Sequence, residues 1–304
     1  MSLRADIQKR DDFLGQTLFH FLGTGADEQL FQIFDSIVRR GLLLTVGNKE
    51  GKLDRFSVHM VGGAIESFEV MQHARVCFTD IPEEMLSAHC QEYGMFGLGF
   101  SRETILAWGG NPVFYLPNHP TAGTLENSMG GMLYNLHRVP PLLSELRSCL
   151  APENPSSTVD YINQAEQSLR RMWGFVKEMS SQKANDYRYL YEREWRIVDG
   201  VMLGHEVDST RELSDDEIRE LATKCERWTK PLDMSESMSR RYPHKHMLQF
   251  FRFFNGLSRK TVSQAIEVVL VPSDALKRRV LKYIETYPDR FRSPNPVVRV
   301  FGAE

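Results

Sequence analysis

The ten residues from Tyr189 to Val198 set Glu192 and Glu194 two positions apart, with Arg196 two positions further on. In a strand, successive side chains point to opposite faces, so Glu192, Glu194 and Arg196 share one wall while Tyr191, Arg193, Trp195 and Ile197 share the other. A wall of paired carboxylates flanked by a guanidinium can stabilise a developing positive charge in a cleft. The same wall can also stand in water as a solvated sheet face. Arg196 carries a matching ambiguity: it can clamp a phosphate bidentately, or it can neutralise the two glutamates as a salt bridge.

Other residues could contribute chemistry. His20 lies in an apolar run from Thr17 to Leu22, where a hydrogen-bonded core histidine competes with a ligand contact. Arg240, Arg241 and Lys245 precede the aromatic stretch Met247 to Phe254. Basic groups interleaved with aromatics grip phosphates and stack bases, which suits a nucleic-acid or other partner. The alternative is a buried apolar helix under a solvated basic cap. His244 and His246 have H-x-H spacing but no nearby carboxylate or cysteine, so no metal site is expected.

Several elements must position these residues. Gln16 to Leu22 reads as a strand. Leu30, Phe31, Phe34, Ile37 and Val38 form the apolar stripe of a helix closed by Gly41. Next come the apolar run Leu42 to Val46, a polar loop, and a helix expected around Ala64 to His73. Arg75 to Thr79 is a strand, and Asp80-Ile-Pro-Glu-Glu84 supplies the start of a helix ending near Tyr93 and Gly94. Phe96 to Phe100 and Asn111 to Leu116 read as strands, the glycines of the first allowing close backbone approach. Pro117 to Gly131 reads as loop and Pro141 to Leu150 as helix. A long helix then keeps its period from Ile162 through Val176 to Met179. Ser214-Asp-Asp-Glu217 opens another helical region. Ala265 to Val271 is a buried strand, Pro272 to Tyr283 a helix, and Pro296 to Phe301 a closing edge strand.

Composition removes several classes. No apolar run approaches the roughly 18 to 20 residues of a spanning helix, and the first residues lack a signal-peptide core, so a cytoplasmic protein without a membrane role is expected. Cys77, Cys90, Cys149 and Cys225 are widely spaced, which suits a reducing compartment rather than a disulfide framework or zinc site. A net charge of −3 gives no global attraction to nucleic acid. Gly97 and Gly99 make only a G-x-G fragment, and no Walker A, G-x-S-x-G or H-E-x-x-H sequence occurs.

Taken together, Cys77 to Pro82, His89, Tyr93 to Ser101, Asn111 to Tyr115 and Tyr191 to Ile197 resemble the AbiGi-type family of abortive phage-infection proteins, a family labelled as antitoxin. Leu18 to Phe21 and Ile266 to Pro272 extend the likeness loosely. The element order is also similar to a minimal ADP-ribosyltransferase: a first strand with His20, a helix ending at Gly41, a strand with Thr79, and a late strand with Glu194. Leu22 stands where the DarT-type branch usually has threonine. The resemblance implies NAD as co-substrate. Glu194 would stabilise the oxocarbenium-like ribosyl centre, and Glu192 would orient or deprotonate the acceptor. His20 would contact ribose, Thr79 ribose or nicotinamide, Tyr93 the nicotinamide ring, and Arg102 the pyrophosphate. The plain alternatives are a strand threonine, a helix-end aromatic covering the core and a surface arginine.

The expected fold is therefore α+β: a single ADP-ribosyltransferase-like domain over residues 1–304, with a split mixed β-sheet and flanking helices. A helical insertion is expected at about 118–186 and a second helical segment at about 211–260. The expected function is that of a phage-defence, toxin-like enzyme moving ADP-ribose from NAD to a macromolecule, RNA or DNA, without a metal. Its expected partners are that acceptor and an antitoxin or other inhibitory protein from a neighbouring gene. The competing expectations are a non-catalytic antitoxin or sensor and an NAD glycohydrolase.

Overall fold

The computed structural model describes residues 16–46, 54–59, 65–70, 73–81, 86–118, 129–149, 157–180, 193–200, 210–224, 226–229, 246–257, 260–292 and 294–301. Along the chain these form β1 (Thr17–Phe21), α1 (Asp27–Arg40), β2 (Leu42–Leu44), β3 (Asp54–His59), β4 (Ile65–Val70), β5 (Arg75–Thr79) and α2 (Leu86–Tyr93). The middle third holds β6 (Gly97–Ser101), α3 (Arg102–Ala107), β7 (Asn111–Pro112), β8 (Phe114–Asn118), α4 (Met129–Cys149), α5 (Ser157–Met172) and β9 (Val176–Ser180). The last third holds β10 (Glu194–Val198), β11 (Thr210–Glu212), α6 (Asp215–Lys224), β12 (Arg252–Phe254), β13 (Gly256–Leu257), β14 (Lys260–Thr261), α7 (Val262–Ala265), β15 (Ile266–Val271), α8 (Asp274–Thr286) and β16 (Val297–Val300).

Seven strands make the central sheet, in the order β16-β15-β6-β1-β5-β10-β7. β15 and β16 run parallel, and α8 crosses between them. The neighbouring pairs from β15 through β7 are antiparallel, so the sheet is mixed and the α+β expectation holds. Ladder register separates two faces. Leu18, Phe78, Leu98, Phe100, Ile197 and Val269 join the large core with Leu30, Phe34, Ile37 and Val38 of α1 and Leu276, Val280 and Ile284 of α8. On the other face Phe19 and Leu270 pack with Leu86 and Cys90 of α2 in a smaller cluster.

Local chemistry explains the well-formed elements. α1 carries Asp27 and Glu28 in its first turn and Arg39 and Arg40 in its last, complementing the helix dipole. It ends at Gly41, whose φ of 94° suits glycine, and a Cβ there would lie 2.1 Å from the Phe254 carbonyl oxygen. In β6 a Cβ on Gly99 would meet Thr17 Cγ2 at 2.7 Å and Phe19 Cε1 at 2.9 Å, so the expected close approach is real. Ser273 caps α8 by accepting from the Leu276 N–H.

Four expectations need correction. The segment around Ala64 to His73 contains β4, which pairs with β3 from Asp54↔Val70 to His59↔Ile65. Its helix-like spacing yields to a ladder with a partner strand that local periodicity does not reveal. The helix expected from Pro141 begins at Met129 and runs through Pro140 and Pro141. The period carried from Ile162 to Met179 breaks at Met172, because Val176–Ser180 leaves as β9 to pair in parallel with β8. The helical reading of 211–260 holds for α6, but Arg252–Phe254 is the central strand of the small sheet β11-β12-β2. Met247, Leu248, Phe251, Phe253 and Phe254 are buried there, so the aromatic stretch is core, as strand and 3-10 turn rather than helix.

Candidate functional site

The strand of greatest interest, β10, runs from Glu194 to Val198. Arg193 has a positive φ of 42°, an uncommon conformation for a residue with a Cβ, and its carbonyl accepts the Asp80 N–H at 3.2 Å. Alternation holds from there onward. Glu194 pairs with Thr79 and Arg196 with Cys77, so these four side chains share one face, while Trp195 and Ile197 take the other. Glu192 lies outside the described residues.

Glu194 is buried, and a cation meets each of its oxygens. Arg196 donates from Nε to Oε1 at 2.8 Å, and Lys177 donates from Nζ to Oε2 at 2.9 Å. Arg196 is itself only 4% exposed and donates from Nη1 to the Gly174 and Val176 carbonyls at 2.7 and 3.2 Å. Arg196 thus forms a salt bridge with Glu194, one of the two roles expected for it. The Glu194 N–H donates to the Tyr115 hydroxyl at 3.2 Å. Burial alone would raise the Glu194 carboxyl, but Arg196 and Lys177 outweigh it and hold the group at about 2.

That depression has a pH signature. The folded-state value lies below the ordinary 4.5, so ionised Glu194 stabilises the fold above pH 4.5, and the contribution fades as pH falls towards about 2. The difference in urea midpoint between wild type and Glu194→Gln is expected to stay constant from about pH 7 to 5 and to shrink below that. A difference that persists undiminished at about pH 3 would contradict the assignment.

Cys77 lies beside this carboxylate. Its side chain is exposed on a central strand of the sheet. Desolvation first, and the Glu194 charge second, push its thiol up to about 12, so it stays protonated and is a poor nucleophile at neutral pH.

His20 does not join Glu194 and Thr79. Phe19 is the residue paired with Thr79, so His20 points to the opposite face, where its ring lies 5.8 Å from that of Phe78. His20 Nδ1 is 2.9 Å from the Cys77 carbonyl. A carbonyl only accepts, so Nδ1 carries the proton in the neutral ring and Nε2 is an acceptor. Burial lowers the His20 pKa, and the bond to Cys77 opposes that shift.

Arg102 is also committed within the protein. Its Nη2 lies 2.9 Å from both carboxylate oxygens of buried Asp80, and its guanidinium sits 6.0 Å from the Trp195 ring. Burial raises the Asp80 pKa, while the ion pair with Arg102 opposes the rise. Tyr93, at the end of α2, stacks on His89 with centroids 4.4 Å apart, and His89 in turn meets Phe21 at 5.0 Å. Of the expected cofactor contacts, the structure therefore brings Thr79 and Arg196 to Glu194 and leaves His20, Tyr93 and Arg102 elsewhere. Arg240, Arg241 and Lys245 lie outside the described residues.

The sequence pattern assigns no role to Lys177, Tyr115 or Asp80. Lys177 was hidden inside an apparent helical period, although its strand location brings it to Glu194. In sequence Asp80 has the place of a helix start, and only its adjacency to Arg193 and Arg102 in the fold reveals the ion pair. Among the described residues, no group of three or more His, Cys, Asp or Glu is arranged to hold a metal. No described helix is long and apolar enough to cross a membrane.

The family described as "Putative abortive phage resistance protein AbiGi, antitoxin" matches residues 64–230, more than half of the chain. No curated protein and no solved structure matches. The matched segment includes β5, β6, α4, α5 and β10. The family is an antitoxin family, and this overturns the expectation of a toxin-like ADP-ribosyltransferase. The shared segment, and with it the strand bearing Glu194 and Arg196, identifies this chain as a member of the AbiGi family of abortive phage resistance antitoxins.

Proposed function

We propose that this protein is a non-catalytic antitoxin that binds and restrains a protein toxin encoded beside it. The family description supports the reading directly. The observation that carries it in the molecule is Glu194, the acid best matched by type to ribosyl chemistry. It is buried and meets Lys177 and Arg196 at 2.9 and 2.8 Å. A carboxylate in that state serves the fold, because a ribosyl cation would have to compete with two fixed charges already in contact.

The test is growth of cells in which the adjacent gene is induced with and without this chain. Growth is expected to stop with the neighbour alone and to return on co-expression, with the two products purifying together. Failure to rescue, or NAD consumption by the pure chain, would refute the reading.

A further inference from the structure

β5 has two edges, and backbone hydrogen bonds sort its residues between them. Asp80 donates to the Arg193 carbonyl at 3.2 Å and Asp199 to the Ala74 carbonyl at 2.7 Å, so the even-numbered groups along β5 face β10. The odd-numbered Arg75, Cys77 and Thr79 face the other way. Thr79 pairs there with Phe19 of β1. A ladder continued in that register would set Phe21 opposite Cys77 and Gly23 opposite Arg75. Arg75 has a different partner: it exchanges both backbone bonds with Thr45, just after β2, at 3.0 and 2.9 Å. Between these two pairings the Cys77 carbonyl meets the His20 ring, with Nδ1 at 2.9 Å. β1 and β2 thus share one edge of β5, with a histidine at the boundary. Since β2 also pairs with β12 in the small sheet, this edge is a backbone joint between two sheets.

We infer that the His20 ring is a wedge that stops β1 from zipping further along β5 and keeps that edge open for β2. The two pairings compete for the same groups. Zipping would give the Arg75 N–H and carbonyl to Gly23 and release Thr45. Backbone bonds would be exchanged for backbone bonds of similar worth, so pairing alone favours neither state. Phe21 has the right parity to zip: Leu22 donates to the Phe96 carbonyl at 2.9 Å, so the even-numbered groups of β1 face β6 and the odd-numbered ones face β5. The ring decides between the two. Its Nδ1–H satisfies the Cys77 carbonyl that the Phe21 N–H would otherwise claim, and its contact with Phe78, at 5.8 Å between ring centroids, holds it in the fork. Without the ring, β1 advances along β5 and the small sheet loses its backbone tie at Thr45. This device is independent of what the protein binds.

Residue-resolved hydrogen exchange of the full chain, read by NMR, tests this. In His20→Leu the Thr45 amide is expected to exchange at least about tenfold faster, while the Arg75 amide, handed to Gly23, stays within about twofold of its wild-type rate. His20→Asn keeps a side-chain N–H for the Cys77 carbonyl and is expected to leave both amides slow. Parallel acceleration of both amides in the leucine variant would mean that the fork merely frays, and unchanged Thr45 exchange would mean that the ring blocks nothing. Either result overturns the inference, as does an asparagine variant that behaves like the leucine one. If the leucine variant does not fold, the nitrogen chemical shifts of the wild-type ring decide: a proton on Nδ1 supports the wedge, and one on Nε2 overturns it.

Discussion

Replacing Arg196 by leucine lowers the free energy of unfolding by about 3–5 kcal/mol, the usual penalty for leaving a buried charge without its partner. The substitution removes the 2.8 Å contact to Glu194 and strips the Gly174 and Val176 carbonyls of their shared donor. Lys177 cannot fully compensate, since it reaches only Oε2. The double variant Arg196→Leu/Glu194→Leu should regain much of the loss, because no uncompensated buried charge remains and Lys177, partly exposed, can hydrate. Urea unfolding monitored by far-UV dichroism measures both. A loss below about 1 kcal/mol in the single variant would reduce the network to the worth of a surface ion pair.

Gly94→Ala is the second large effect, and Gly23→Ala is its internal control. Both glycines hold a left-handed φ, 91° and 89°, so each alanine costs roughly 1–2 kcal/mol in backbone energy. Beyond that they differ. A Cβ on Gly94 would sit 1.9 Å from the Gly23 carbonyl oxygen and 3.0 Å from the Thr24 nitrogen, whereas one on Gly23 meets nothing within 4 Å. The obstacle at Gly94 is backbone, which cannot rotate aside, and the loop joining α2 to β6 must shift. A total loss of at least about 3 kcal/mol is expected at Gly94, against roughly 1–2 at Gly23. Equal losses at the two positions would show that the clash is relieved at no cost.

Much of the sheet was legible because its signals are local. β1, β6, β15, β16, α1 and α8 each announce themselves through alternation, apolar period, a cap or a glycine, and none needs a distant partner to be recognised. β4 and β9 failed for the opposite reason. Ile65 to Val70 and Val176 to Ser180 gain strand character from β3 and β8, and a window of residues read in isolation contains no trace of that pairing. The candidate site divides along the same line. Glu194 and Arg196 share a wall by simple alternation, and Thr79 lies opposite by register. The contribution of Lys177 and the commitment of Arg102 to Asp80 depend on contacts 17 and 22 residues apart along the chain. His20 shows the limit of element order as a guide: the right strand in the right sequence still leaves the side chain on the other face.

The strand order of the central sheet also dictates when this chain can finish folding. β6, whose Gly97 to Phe100 are all buried, has β1 on one side and β15 on the other, so one of its edges waits for residues 266–271. During synthesis some 160 residues must emerge after β6 before that edge is covered, and until then the ribosome carries an open, apolar strand. A chain truncated before Ile266 would keep its first helix and most of its sheet, yet present a ready template for pairing with another nascent copy. Completion of the C-terminal β15-α8-β16 unit thus sets the moment at which the protein becomes safe from its own aggregation.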